Sequence, residues 1–96
     1  MLEQKILKDY HRVAVVGASS NPERDSYKVA SYLMEHGYQV IPVNPNAAEI
    51  LGKTSYPDLS SIPETVEVVD VFRRPEEVLS VVDQAIRIGA KAVWMQ

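Results

Sequence analysis

Short apolar runs alternate along this chain with segments whose apolar residues recur at helical spacing. Runs rich in β-branched residues are typical of buried strands, and they cover residues 13–16, 38–43, 67–72 and 91–95. Two further segments, 26–36 and 76–88, carry apolar residues three and four positions apart, and a glycine follows each of them. These two segments are predicted to be helices.

The order strand, helix, strand, strand, helix, strand predicts an α/β fold with a mostly parallel sheet. We expect about four strands, numbered in chain order and arranged 3-2-1-4, with helices on both faces. The inner face of the first helix should carry Val29, Ala30, Leu33 and Met34. The inner face of the second helix should carry Val78, Leu79, Val82, Ala85 and Ile86.

Three local features complete the predicted fold. Residues 3–9 are predicted to form a short leading helix, and residues 46–51 one helical turn that ends at Gly52. Pro42 lies inside the second strand, where its missing N–H must point away from a ladder bond. We therefore expect the strand to be bulged or locally unpaired there.

Composition narrows the class of protein. The 96 residues predict one domain, 1–96, and the net charge of −3 gives no broad attraction to nucleic acid or to an anionic membrane. The chain has no cysteine, and no apolar stretch approaches the length of a membrane span. We expect a soluble, cytoplasmic protein that binds neither nucleic acid nor a membrane.

Polar and cationic residues follow the predicted strands. The carboxyl ends of parallel strands share one edge of a sheet, where ligands bind. That edge collects Gly17, Ala18 and Ser19, then Asn44 and Pro45, then Arg73 and Arg74. Asp25 is predicted to cap the first helix. Lys28 then lies in the first turn, where positive charge is unfavourable unless an anion binds there.

The loop after the first strand lacks the usual nucleotide-binding fingerprints. It reads GASSNP, with only the first glycine of G-x-G-x-x-G, and the second strand ends at Asn44 instead of an acidic residue. The chain also lacks the P-loop pattern G-x-x-x-x-G-K-[ST]. Binding of NAD or ATP is therefore disfavoured.

Four stretches together carry a resemblance to a known family. They are GASSNPERDSYK at 17–28, PVNPNAAEILGKTSYPDL at 42–59, VDVFRRPEEV at 69–78 and GAKAVWMQ at 89–96. In this order they resemble the small stand-alone coenzyme A-binding proteins of bacteria and archaea, which are Rossmann-like domains similar to the coenzyme A-binding domain of succinyl-CoA synthetase. The resemblance begins at about residue 10 and runs to the end of the chain.

The resemblance implies that coenzyme A lies along the carboxyl edge of the sheet. It places Gly17, Ala18, Ser19 and Pro22 in the phosphate loop, with Arg24 and Lys28 as cationic partners. It also implies contacts from Asn44, Pro45, Phe72, Arg73 and Arg74. Arginine forks suit the pyrophosphate and the 3′-phosphate of coenzyme A.

Members of that family continue past the last strand predicted here, so this chain resembles a C-terminally shortened domain. The apolar residues around Trp94 would then lie at a bare sheet edge, where we expect a homo-oligomer contact.

The titratable residues do not suggest a catalytic set. His11 and His36 fall on the amino-end side of the sheet, and Asp70 inside the third strand is expected to make a structural hydrogen bond. No metal-ligand pattern occurs in the sequence. The preferred function is binding of coenzyme A or an acyl-CoA without catalysis. The alternatives are a CoA-thioester enzyme subunit with catalytic groups on another chain, an NAD-binding sensor domain, or a scaffold without a ligand.

Overall fold

A parallel four-stranded sheet forms the centre of the computed structural model, which describes residues 11–95. Its strands are β1 (Arg12–Val16), β2 (Gln39–Val43), β5 (Val68–Val71) and β6 (Ala92–Met95). A separate antiparallel pair consists of β3 (Glu49–Ile50) and β4 (Lys53–Thr54). The helices are α1 (Asp25–Glu35) and α2 (Pro75–Arg87), and a single 3-10 turn covers Leu59–Ser61. The leading helix predicted at residues 3–9 lies outside the described residues.

The two faces of the sheet carry two apolar clusters, because side chains alternate along each strand. On one face, Ala30 and Leu33 of α1 pack against Val13, Val15, Val40 and Val68. On the other face, Val81 and Ala85 of α2 and Leu59 of the 3-10 turn pack against Ala14, Val16, Ile41, Val43, Val69 and Val71. The predicted α/β, Rossmann-like fold with a helix on each face is confirmed.

The predicted strand order is wrong. The sheet runs β2-β1-β5-β6, so the third long strand pairs with the first and not with the second. In strand numbers this order is 2-1-3-4, where 3-2-1-4 was expected.

Pro42 explains why β2 lies at the edge of the sheet. Gln39 N donates to His11 O and Gly17 N donates to Val43 O, so the odd-numbered residues of β2 direct their backbone polar groups at β1. Pro42 therefore faces the outer edge, where a further strand would lack a donor. Only Tyr56 bridges to this edge within residues 11–95, donating its N–H to Pro42 O and accepting from Asn44 N. Pro42 stays in register with Val15, so the expected bulge is absent.

The connection from β2 to β5 also differs from expectation. Residues 46–51 do not form a helical turn, because Glu49 and Ile50 pair with Thr54 and Lys53 in a hairpin. Leu51 and Gly52 form the two-residue loop of this hairpin. Both have positive φ, 54° and 73°, as the tight turn in such a loop requires. Ile50 is buried in the cluster beneath α1 and anchors the hairpin there.

The buried face of α2 differs in part from the predicted one. Val81 and Ala85 are its buried residues, whereas Leu79 and Ile86 are 82% and 70% exposed. The two exposed residues lie on the flank of α2 away from the 3-10 turn, since Gln84 on the other flank accepts from Leu59 N. Val29, Ala30, Leu33 and Met34 of α1 all contact the core, as expected. The homo-oligomer contact near Trp94 stays a prediction.

Glu67 joins the first and third long strands at the amino edge of the sheet. Its Oε1 atom accepts from the backbone N–H groups of Arg12 and His11, each at 3.0 Å. The hydrogen bond from Arg12 N–H is the largest of the effects that lower the pKa of this carboxyl below its ordinary value of 4.5. The hydrogen bond from His11 N–H and the charges of His11 and Arg12 act in the same direction, and together they outweigh the opposing effect of burial. The ionised carboxylate therefore stabilises the fold.

Glu67→Gln should lower the melting temperature by a few degrees at pH 7, because the amide is a weaker acceptor than the carboxylate. A group whose pKa is lowered on folding contributes stability above its unfolded pKa and loses it as the pH falls through the folded pKa. The difference between wild type and variant should therefore be complete well above pH 4.5 and should shrink as the pH falls through the folded pKa. Calorimetry between pH 3 and 7 measures it, with the exposed Glu49→Gln as control. A pH-independent difference would contradict this role of the charge.

Candidate functional site

A cleft of about 980 Å³ opens at the carboxyl edge of the sheet, where α1 and α2 both begin. Its walls come from the loop after β1, the first turn of α1, and the segment that joins β5 to α2. The lining residues are Gly17, Ala18, Ser19, Glu23, Arg24, Asp25, Ser26, Lys28, Val29, Asn44, Phe72, Arg73, Arg74 and Glu77.

Gly17 fixes the floor of this cleft. Its φ is 88°, a left-handed conformation that favours glycine, and a Cβ atom there would collide with the carbonyl oxygen of Phe72. Gly17 N donates to Val43 O at 3.0 Å, and Phe72 N donates to Val16 O at 2.8 Å. The ends of three strands therefore meet at one glycine. Because β1 connects to α1 on one face and β5 connects to α2 on the other, this is a point where a ligand can approach the backbone closely.

Short polar side chains shape the loop that leads from Gly17 to α1. Ser19 Oγ accepts from Asn21 N, and Asn21 Oδ1 accepts from Glu23 N, each at 3.0 Å. Such turns between a side chain and the backbone two residues on are typical of serine and asparagine. Asn44, at the end of β2, donates from Nδ2 to Ala18 O at 2.8 Å and accepts from Asn46 N at Oδ1. Asn44 is therefore a positioning residue for the loop.

The start of α1 is uncapped. The helix begins at Asp25, so the prediction that Asp25 is the cap is wrong by one residue, and Arg24 holds the cap position without a side-chain hydrogen bond. The backbone N–H groups of Tyr27 and Lys28 donate to Arg24 O. Asp25 and Ser26, the first two helical residues, line the cleft. Their N–H groups have no partner one turn back, so this end of α1 attracts negative charge.

Four cationic side chains line the same cleft. Arg73 and Arg74 precede α2, and both form loose ion pairs with Glu77, at 3.9 Å from Arg73 Nε and 3.5 Å from Arg74 Nε. Arg24 and Lys28, at the start of α1, form no ion pair among residues 11–95. Arg74 is 79% exposed, and such surface pairs contribute at most about 1 kcal/mol. An anion can therefore replace the carboxylate contacts at small cost.

The structure brings together most of the residues that the sequence singled out. Gly17, Ala18, Ser19, Arg24, Lys28, Asn44, Phe72, Arg73 and Arg74 all line the cleft. Pro22 is exposed outside it, and Pro45 lines a second cleft on the face of α2. Their roles in ligand binding stay predictions.

Sequence reasoning did not assign five of the lining residues to the ligand site. They are Glu23, Asp25, Ser26, Val29 and Glu77. Their signal was positional, since three of them lie in or directly before the first turn of α1. Ser26 is only 5% exposed, which shows how closely this turn packs at the site.

The histidines lie far from the cleft. His11 precedes β1 and stacks on Tyr38, and His36 follows α1 and stacks on Tyr32. Both are exposed near the amino edge, as predicted. Asp70 is fully buried in β5, in register with Val15 and Trp94. No group of histidine, aspartate and glutamate side chains in residues 11–95 is arranged to hold a metal ion. Within the same part of the chain, neither helix has the length and hydropathy to cross a membrane.

Comparison with known proteins identifies the relatives of this chain. The family model described as "CoA binding domain" matches residues 11–96. The uncharacterized protein YneT of Bacillus subtilis is 37% identical over 93 residues, which are 97% of this chain and 69% of that protein. A hypothetical protein from Pyrococcus horikoshii OT3 has the same fold with a TM-score of 0.92 and 50% identity over 95% of this chain and 64% of its own. The chain thus spans about two thirds of these relatives.

A larger enzyme contains a similar segment. The ADP-forming acetate–CoA ligase II of Archaeoglobus fulgidus is 31% identical over 81 residues, which are 82% of this chain and 12% of the ligase. The predicted resemblance to a CoA-binding family is therefore confirmed. That the chain is a C-terminally shortened form stays a prediction.

Gly17→Ala should destabilise the fold by about 2 kcal/mol or more, since it adds a clash with the Phe72 carbonyl to the strain of a positive φ. The matched control is Gly37→Ala, because Gly37 has a φ of 85° but open space around its Cβ position. That variant should lose only about 1 kcal/mol. Urea unfolding of both variants measures the difference. Equal losses would show that the close approach at Gly17 does not constrain the structure.

Proposed function

This chain belongs to the CoA-binding domain family, and we propose that it binds coenzyme A or an acyl-CoA in the carboxyl-edge cleft without catalysing a reaction itself. The observation that carries the proposal is the convergence of four cationic side chains and an uncapped helix start in one cleft. These are Arg24 and Lys28 at the first turn of α1, and Arg73 and Arg74 directly before α2.

Coenzyme A fits this charge distribution because it presents phosphate groups at two places, a pyrophosphate and a 3′-phosphate. A phosphate at the start of α1 would accept from the free N–H groups of Asp25 and Ser26. It would also neutralise the unfavourable position of Lys28 in the first helical turn. Arg73 and Arg74 would hold further phosphate oxygens, since guanidinium groups bind phosphate through paired hydrogen bonds.

Asn44 supports coenzyme A over NAD. A dinucleotide-binding domain places a carboxylate after its second strand, where it accepts from the ribose hydroxyl groups. This chain has Asn44 there, and its amide already binds Ala18 O and Asn46 N. A ribose would gain no carboxylate acceptor at this position.

Binding without chemistry is the function that the cleft supports best. Its lining contains no histidine, and the chain has no cysteine. The alternative, a subunit of an enzyme that acts on CoA thioesters, is favoured by the similarity to one segment of the acetate–CoA ligase. In that case the catalytic groups would lie on another chain. Either function is compatible with the cytoplasmic location that we propose.

Isothermal titration calorimetry should show that the protein binds coenzyme A more tightly than dephospho-CoA, NAD and ATP. Lys28→Ala and Arg73→Ala should each weaken coenzyme A binding by about tenfold or more, because each removes one charge-assisted contact to a phosphate. The matched controls are Lys91→Ala and Arg87→Ala, which remove the same charges outside the cleft. These controls should bind within a factor of about two of the wild type.

Equal weakening by all four substitutions would indicate only a nonspecific effect of net charge. No heat of binding with any of the four ligands would contradict the proposed function.

A further inference from the structure

A second, smaller cleft of about 370 Å³ opens on the α2 face of the same edge. Its floor is apolar, formed by Val16, Val43, Leu59 and Val81, each less than one-tenth exposed. Pro45 and Pro57 add apolar surface at the rim. A concave site with an apolar floor and a few polar groups at its rim is typical of a small-molecule subsite.

The two clefts adjoin. Arg73 and Glu77 line both of them, and the Arg73 side chain is 26% exposed between the two. A single elongated ligand can therefore reach from the start of α1 across the carboxyl edge to the floor beneath α2.

The two clefts differ in the charge of the residues that line them. The larger cleft has four cationic residues against Glu23, Asp25 and Glu77. The smaller cleft has Arg73 alone against Asp58, Glu76 and Glu77. Phosphate groups are therefore attracted to the first cleft and repelled from the second, and the second suits an uncharged group.

We propose that the second cleft receives the pantetheine arm and a short uncharged acyl group of an acyl-CoA whose phosphates lie in the first cleft. This inference rests on the proposed function and adds the acyl class to it. The pantetheine arm carries no charge, so it is the part of the ligand that tolerates the acidic rim. A saturated acyl chain is stabilised there because it leaves water for the apolar floor at Leu59 and Val81.

The same rim disfavours an acyl group that ends in a carboxylate. Asp58 and Glu76 would repel the carboxylate at the end of a succinyl group. Arg73 is the one cationic residue among those that line this cleft. We therefore expect the wild type to bind butyryl-CoA more tightly than coenzyme A, and coenzyme A more tightly than succinyl-CoA.

Ser80→Phe tests the second cleft directly, because Ser80 is an exposed residue that lines it and a phenyl ring there would occupy part of the space that an acyl group needs. The matched control is Leu79→Phe. Successive helical residues point about 100° apart, and Leu79 is 82% exposed and outside the cleft. Titrations should use butyryl-CoA, succinyl-CoA, coenzyme A and adenosine 3′,5′-bisphosphate, which lacks the pantetheine arm.

Ser80→Phe should weaken butyryl-CoA binding by about tenfold and leave adenosine 3′,5′-bisphosphate unchanged. Leu79→Phe should leave both unchanged. Glu76→Gln, which removes one rim charge, should narrow the preference for butyryl-CoA over succinyl-CoA.

Two outcomes would overturn the inference in different ways. If the wild type binds the bisphosphate and coenzyme A, but binds butyryl-CoA and succinyl-CoA equally and is unaffected by Ser80→Phe, the acyl subsite is wrong and the proposed function stands. If no ligand of the set binds, both fail together.

Discussion

The close approach of Gly17 to the Phe72 carbonyl is the constraint on which the site depends. A side chain at residue 17 would collide with the Phe72 carbonyl and push the ends of β1 and β5 apart. The loop after β1 would then lose its present position over the edge of the sheet. With glycine there, three strand ends are joined by the hydrogen bonds of Gly17 to Val43 and of Phe72 to Val16. The first turn of α1 and the Arg73–Arg74 pair are thereby held on opposite sides of one opening.

Stability and function make opposite demands on the start of α1. An acidic or hydroxyl side chain at the cap position would stabilise the helix, but Arg24 occupies it without a capping hydrogen bond. Lys28 in the first turn adds to the mismatch with the helix dipole. Local electrostatic conflict of this kind is expected where a ligand completes the charge balance. The same reasoning explains the loose ion pairs of Arg73 and Arg74, which an anion can displace.

The strands, the helices and most of the larger cleft were predictable, because they follow from local periodicity and from the rule that parallel strands end at one edge. The strand order was predicted wrongly although Pro42 marks β2 as an edge strand, because a strand that lacks a donor on one side cannot pair fully on both sides. The hairpin at Leu51 was hidden, because leucine rarely takes a positive φ. The inner face of α2 was predicted only in part, because Leu79 and Ile86 are apolar and nevertheless exposed.

Each helix covers one apolar face of the sheet and also lines a cleft at the carboxyl edge. Both helices begin at the carboxyl edge, so their N-terminal turns lie at this edge on different faces of the sheet. A ligand that spans both clefts must pass the Arg73–Glu77 pair, which is 3.9 Å long. Exchanging that contact for a phosphate contact costs little, because the pair is partly exposed. The rigid part of the site is therefore the sheet edge at Gly17, and the adjustable part is the pair of side chains that divides the charged cleft from the apolar one.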